Sequence, residues 1–177
     1  MIAEMESARF VLRSLSEQDA SERYLGWLSD ASISRFINSA AETKALSELK
    51  KYVSERCARP DVLFLGIFER ASGLHIGNIK YEPIDFYNRY AVMGILIGEV
   101  AWWGKGVAAE VITKSAAWLH DRNGICEIVL GVWLDNSAAI AAYENCGFKI
   151  EPTDRVFIEP GKSVSMVLRL PAASILG

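Results

Sequence analysis

The chain has 177 residues, 51% hydrophobic and 23% charged, with a mean hydropathy of +0.15. That length suits one domain with its own core, and the composition excludes disordered and fibrous classes. Nineteen basic against 22 acidic residues give a net charge of −3 without a Lys/Arg cluster, which argues against sequence-independent binding to nucleic acid.

Arg9 to Leu15 alternates well enough for an opening strand. Ser16 then stands as a helix N-cap with Asp19 in a capping-box position, and the helix is expected to run to about Ser29 with Tyr24, Leu25 and Leu28 on one stripe and Trp27 beside it. A second short helix is expected over Ala31 to Phe36. Thr43 to Cys57 reads as an amphipathic helix through Leu46, Leu49, Tyr52 and Val53. The period then changes. Val62 to Phe68 is a buried strand, Arg70-Ala71-Ser72-Gly73 a hairpin turn, Leu74 to Ile84 the return strand and Tyr90 to Ile97 the next. A long helix follows Gly104-Lys105-Gly106 to about Arg122, where Asn123-Gly124 forms its C-cap. Cys126 to Trp133 is a strand, Ser137 to Asn145 a helix and Val164 to Leu170 a final strand. There is no repeat or low-complexity linker, so residues 1–177 are expected to form a single mixed α/β domain.

The longest nearly charge-free run, Tyr90 to Trp103, is broken by Glu99 and falls short of the roughly 20 apolar residues that span a bilayer. Glu4, Glu6 and Arg9 stand where a secretory signal would need a continuous apolar block, so a cytoplasmic protein without membrane partners is expected. Cys57, Cys126 and Cys146 form no CxxC pair, and His75 and His120 are the only histidines. Neither a disulfide framework nor a metal site is expected from them, and the thiols are expected to be reduced and mostly buried.

Two segments carry chemistry. The strand Ala91 to Ile97 leads through Trp102-Trp103-Gly104-Lys105-Gly106-Val107-Ala108-Ala109-Glu110 into the long helix. A glycine-containing loop that opens a helix exposes unpaired backbone N–H groups, and with the helix dipole these make an anion site suited to a pyrophosphate. Gly104 and Gly106 would allow close backbone approach, because a Cβ there would block the phosphate; a plain strand-to-helix turn is the competing reading. GxxxxGK[ST] is absent, and GxGxxG fails at Ala109. The second segment, Asp135 to Phe148, is an alanine-rich helix after a strand. Asn136 holds its N-cap position and Gly147 its C′ position, both of which have structural readings.

Asn136-x-x-Ala139-x-x-x-Tyr143-x-x-x-Gly147-Phe148 follows the Gly-x-Gly-x-Ala loop by about 30 residues. Together the two segments resemble the signature of the GNAT superfamily of acetyl-CoA-dependent N-acetyltransferases. The form Trp-Gly-Lys-Gly-Val-Ala-Ala-Glu is similar to the RimJ/RimL branch, which modifies ribosomal-protein N-termini, and the resemblance covers at least Leu63 to Leu170. It implies a mixed, mostly antiparallel central sheet of about six to seven strands, flanked by helices and splayed between its two central strands. It also implies acetyl-CoA as co-substrate and no metal. The pyrophosphate would lie on Gly104, Lys105, Gly106, Val107 and Ala108, with Trp103 also against the co-substrate. The pantetheine arm would lie along Ile95, Leu96 and Ile97 and against Asn136 and Ala139. Amides near Leu96 and Ile97 would polarise the thioester carbonyl, and Tyr143 would act as general acid for the departing thiolate.

The chain departs from the family at two places. Trp103 stands where the loop usually carries Gln or Arg, and Val92-Met93-Gly94 replaces the frequent Glu-Ile-Gly. Without that glutamate a low-pKa amine is the easier nucleophile, so the acceptor expected is a protein or peptide N-terminus. The alternatives are a small-molecule amine (amino sugar, aminoglycoside or polyamine) and a non-catalytic acyl-CoA sensor. Glu82, Asp85 and Glu99 are candidate replacement bases. In this family the acceptor groove is built from the early helices and central loops, which implies Trp27, Arg35, Phe36 and Asn38 on one side. Asn78, Tyr81, Glu82 and Asp85 are implied on the other. Cys146, just before the C-cap glycine, reads as a packing residue, and a homodimer is expected.

Overall fold

The computed structural model describes residues 1–36 and 44–171. Among the described residues there are eight strands: β1 (Glu4–Glu6), β2 (Phe10–Ser14), β3 (Leu63–Glu69), β4 (His75–Asp85), β5 (Tyr90–Ile97), β6 (Glu127–Trp133), β7 (Lys149–Ile150) and β8 (Ser163–Arg169). They form one open sheet in the order β1-β2-β3-β4-β5-β6-β8-β7. The helices are α1 (Glu22–Ser29), α2 (Ala31–Ser34), α3 (Leu46–Ala58), α4 (Val107–Asn123) and α5 (Ser137–Asn145). Thr43 and Asn38, both named above, lie outside the described residues.

The expected mixed, mostly antiparallel sheet is present, with β1 and β7 added to the expected strands at its two edges. Both are short, three and two residues, and too brief to show an alternation in sequence. The helix expected from Ser16 to Ser29 is in fact two elements. Asp19 accepts from the Ser16 N–H (2.8 Å) and from the Arg13 guanidinium (2.6 and 2.9 Å), which holds Glu17–Asp19 in a single 3-10 turn. The chain restarts at Ser21, whose hydroxyl accepts from the Tyr24 N–H and caps α1. The cysteines are half-buried and unpaired, each Sγ donating to a backbone carbonyl, of Leu15, Gly124 and Ala142 respectively.

Both faces of the sheet are covered, because alternate side chains of β3 point to opposite sides. Leu63, Leu65 and Ile67 join a cluster under α4 and α5 that includes Val111, Ile112, Leu119 and Phe148. Phe64 and Phe68 join a second cluster under α1 and α3 with Tyr24, Trp27, Leu49 and Val53. That explains why β3 reads as a near-continuous apolar run.

One pairing differs from the rest. β5 and β6 are parallel, joined by the α4 crossover, while every other neighbouring pair is antiparallel. Their ladder covers only Tyr90–Val92 against Glu127–Val129, and the rest of β5 leaves β6. On its other side β5 stays in register with β4 as far as Gly77 opposite Ile97. The two backbones approach closely there: a Cβ built on Gly77 would lie 2.3 Å from the Leu96 carbonyl oxygen.

No flexible side chain can yield at that contact, so Gly77→Ala is expected to cost roughly 2 kcal/mol and lower the melting midpoint by about 4–8 °C. Gly26→Ala, in α1 where a Cβ meets nothing within 4 Å, is expected to raise it through helix propensity. Thermal melts of the two variants check the pair.

Candidate active site

The gap between β5 and β6 opens into a cleft of about 630 Å³. One wall is the free half of β5, the floor is the loop into α4, the opposite wall is α5 with Gly131–Trp133 of β6, and α2 reaches its far end. Eleven of the twelve residues expected around the co-substrate line it: Ile95, Leu96, Ile97, Trp103, Gly104, Gly106, Val107, Ala108, Asn136, Ala139 and Tyr143. Lys105 does not; its Nζ lies 5.6 Å from the centroid of the Trp102 ring.

The geometry of β5 decides which backbone groups are available. The Gly98 N–H donates to the Ile76 carbonyl (2.9 Å), and antiparallel pairs alternate between bonded and non-bonded. Asn78–Leu96 is therefore a bonded pair, and the N–H and C=O of Leu96 face β4. This corrects the expectation that the Leu96 amide polarises a carbonyl in the cleft. The backbone groups on the open edge are those of Ile95 and Ile97. The Trp103 indole confirms that direction by donating from Nε1 to the Ile97 carbonyl at 2.8 Å. Trp103 thus ties the loop to the strand end, and its indole N–H is spent on protein instead of on an anion.

Gly104 and Gly106 have φ of 69° and 71°, in the left-handed region that an L side chain adopts only with strain. A Cβ on Gly104 meets no protein atom within 4 Å, so in the protein itself the requirement for glycine is one of backbone angle. Gly106 is the N-cap of α4, and the first intrahelical bond runs from Glu110 N–H to Gly106 C=O. The amides of Val107, Ala108 and Ala109 precede it and are the orphan donors of the helix start. This cradle of donors, the open β5 edge and the small side chains of Ala138, Ala139 and Ala142 on α5 fit a pyrophosphate joined to an extended arm.

A residue with no signal in its local sequence braces the loop. Arg9 donates from its backbone N–H and its Nε to the two carboxylate oxygens of Glu110, each at 2.7 Å, and from Nη1 to the Lys105 carbonyl at 2.9 Å. Burial alone would raise the Glu110 pKa, but the bonds from the Arg9 backbone, Ser7 and the guanidinium outweigh it and hold the carboxyl below its ordinary value. Arg9 is 101 residues from Glu110 in sequence, so only the fold brings them together.

On α5, Asn136 accepts from the Ala139 N–H at 3.3 Å, which caps the helix. Tyr143 packs against Phe148 with centroids 5.8 Å apart, and burial, with a smaller contribution from Cys146, pushes its phenol up to about 12. It is therefore neutral throughout the physiological range.

Of the acceptor-side candidates, Arg35 and Phe36 line the cleft. The other described candidates have different work, and the structure does not bring them there. Trp27 is buried, its ring where a Cβ on Gly98 would fall, with Nε1 donating to Glu99 at 3.2 Å. Asn78 is buried against His75, and Tyr81 is fully buried with its hydroxyl on Ser115 at 2.8 Å. Glu82 is held by Arg56, Arg59 and Lys80. Asp85 closes the turn to Asn88 and is kept below its usual pKa by those hydrogen bonds. Glu99, considered above as a base, pairs with Arg23 at 2.7 Å. Among the described residues no carboxylate lines the cleft, no group of three or more His, Cys, Asp or Glu could hold a metal, and no helix is long and apolar enough to cross a membrane.

The sequence profile of the acetyltransferase (GNAT) domain matches residues 9–149. The chain belongs to the GNAT acetyltransferase family. Its domain is an N-acetyltransferase domain, and acetyl-CoA is the acetyl donor of that family. Among solved structures, the ribosomal L7/L12 α-N-protein acetyltransferase RimL in complex with coenzyme A superposes with a TM-score of 0.82 at 15% identity, covering 95% of this chain and 98% of that one. A dodecameric spermidine N-acetyltransferase from Vibrio cholerae superposes with a TM-score of 0.72 at 22% identity, covering 92% and 94%. An uncharacterized protein of Methanocaldococcus jannaschii is 24% identical over 144 residues, 81% of this chain and 29% of that protein. The chain thus spans less than a third of the length of that curated relative.

Arg9→Ala frees both the Lys105 carbonyl and the start of α4, and Arg9 is partly solvent-exposed. The expected result is a loss of about 1 kcal/mol, or about fivefold weaker CoA binding. Calorimetric titration with CoA checks it; unchanged affinity would show that the loop holds its shape without the brace.

Proposed function

We propose that this protein transfers the acetyl group of acetyl-CoA to the α-amine of a peptide or protein, by direct attack in a ternary complex. The observation that carries the reading is the absence of any carboxylate among the described residues lining the cleft. The attacking amine must be neutral, and among the described residues that line the cleft no carboxylate stands ready to take its proton. A peptide α-amine with a pKa of about 8 costs roughly 1.4 kcal/mol to deprotonate at pH 7, against roughly 4.6 kcal/mol for a lysine-like amine near 10.4. Water can relieve the first cost far more readily than the second. The fold of RimL, which acts on an α-amine, agrees with this choice, although the spermidine enzyme shares the fold as well.

Bound acetyl-CoA supplies an activated thioester, whose C–S bond is exchanged for the C–N bond of the amide. The amides of Val107, Ala108 and Ala109 would hold its pyrophosphate, with Gly104 and Gly106 shaping the turn. The open edge of β5 at Ile95 and Ile97 would bind the arm, and one of these N–H groups would meet the charge that develops on the carbonyl oxygen. Asn136 and Ala139 would line the arm's other side. Tyr143 would present its hydroxyl to the departing sulfur. Its phenol, raised to about 12, lies about 3.5 units above an ordinary thiol, so full proton transfer would cost roughly 5 kcal/mol. The group therefore acts as a hydrogen-bond donor to the thiolate, and the proton follows from solvent. Proximity of amine and thioester supplies much of the remaining rate.

Tyr143→Phe keeps the ring and removes the donor. Loss of this one donor to developing charge is expected to lower kcat about 100-fold with CoA affinity within about twofold of wild type; a joint loss of affinity and stability would make Tyr143 structural. In a thiol-release assay over peptides, polyamines and amino sugars, peptides are the expected acceptors, and turnover of polyamines alone would overturn the reading.

The pH profile is a separate check. Below the acceptor's pKa the neutral fraction grows tenfold per pH unit, so kcat/KM should rise with unit slope and level off near pH 8. Tyr143 titrates only near 12, so it should impose no fall up to pH 10. A descending limb between pH 8 and 10 that persists in Tyr143→Phe would exclude Tyr143 as the protonated partner, and one that disappears in that variant would assign the limb to its phenol.

A further inference from the structure

The cleft has two ends on opposite faces of the sheet. Val107, Ala108, Ala139 and Tyr143 belong to the apolar cluster under α4 and α5. Ile33 of α2 and Leu96 pack in the other cluster, under α1 and α3. Because β5 and β6 part after Val92, the cleft passes through the sheet between them. The pyrophosphate cradle lies at one mouth and α2 at the other.

Arg35 stands at that second mouth, and among the described residues it is the one charged side chain that lines the cleft. Its guanidinium lies 4.2 Å from the centroid of the Phe36 ring, a stacking that orients the planar fork and leaves its edge free for a carboxylate. None of the ion pairs among described residues uses it. The arginines around Glu82, Asp19, Glu110 and Glu127 are all committed to carboxylates of the protein. A cation at this entrance, beside Ser32, Ile33 and Phe36, repels a polyamine and attracts an acceptor that carries negative charge near its amine.

We infer that Arg35 selects acidic acceptors: peptides whose α-amine is followed within the first few residues by Asp or Glu. The inference rests on the peptide α-amine reading above and adds the residue that sets its specificity. Arg35 serves acceptor binding alone, since the co-substrate's anionic end is at the other mouth. The carboxylate pairs with the guanidinium edge while the α-amine reaches through toward the open edge of β5.

The test uses the full chain and two hexapeptides of identical first residue, Ser, followed by either Glu or Lys at positions two to four. Initial rates are measured with wild type, Arg35→Met and Arg35→Lys, alongside calorimetric titration of each protein with acetyl-CoA. Wild type should favour the acidic peptide by about fivefold or more in kcat/KM. Arg35→Met should abolish the preference through KM, and Arg35→Lys should restore part of it, with acetyl-CoA affinity unchanged in both. Equal use of the two peptides by wild type, or a preference for the basic one, overturns the inference and leaves the peptide reading standing. A fall in acetyl-CoA affinity in Arg35→Met also overturns it, because Arg35 would then belong to the co-substrate. Turnover of neither peptide by wild type that binds acetyl-CoA overturns the peptide reading, and the inference with it.

Discussion

Hydrogen bonding between β5 and β6 ends at Val92 and Val129, and the chemistry of the molecule depends on what that ending leaves open. An unpaired strand edge is costly when buried, since each N–H and C=O must find a partner. Here the edge faces a cleft, where water or a ligand can satisfy it. The Ile97 carbonyl already has a partner in the Trp103 indole. The Ile95 groups and the Ile97 N–H stay available to an extended molecule laid along the strand, which would add to the sheet as a further strand does. The opening is stable because β5 is held firmly from its other side, where the β4 ladder runs to Gly77 and the two backbones approach so closely that a Cβ does not fit.

The start of α4 depends on the same frame. Two glycines with positive φ turn the chain from the end of β5 into the helix. Trp103 ties the turn to β5 from the cleft side, and Arg9, at the edge of β2, ties it to Glu110 and Lys105 from outside. A loop fixed at both sides presents its amides without needing to order them when an anion arrives, which lowers the entropic cost of binding. Charge is distributed to suit. Glu82 and Glu99, near the centre of the sheet, are each spent on neighbouring cations, and the cleft keeps a cation at one mouth and backbone donors at the other.

Much of this was legible in the chain itself because the signals are local. The periods of β3 to β6, the glycines that begin and end α4, and the Asn136 to Phe148 helix depend on residues within a few positions of one another, and the structure has them within a residue or two of where the pattern puts them. The loop and α5 were readable as one site because their motifs recur together in the family that the profile match identifies. The misplaced elements were those whose local signal was outweighed. The Ser16 capping pattern is real, yet Asp19 is drawn to Arg13 on the neighbouring strand and the helix stops after one turn.

The acceptor side shows the limit more sharply. Tyr81, Glu82 and Asp85 sit on the strand and turn that the family places near the groove, yet whether each reaches it depends on side-chain alternation and on the register shift between Tyr81 and Ile84. Leu96 differs from Ile95 and Ile97 by a single step of parity, and that step settles which backbone groups face β4 and which face the cleft. Arg9 meets Glu110 only because β2 runs beside the start of α4. By itself, then, the sequence determined the elements, the turn chemistry and the family, since these follow from backbone preferences and short-range spacing. The tertiary structure alone decided which edge of β5 is open, which arginine braces the loop and which of the acceptor-side candidates reach the cleft. Those depend on strand order and register, which bring together residues far apart in the chain.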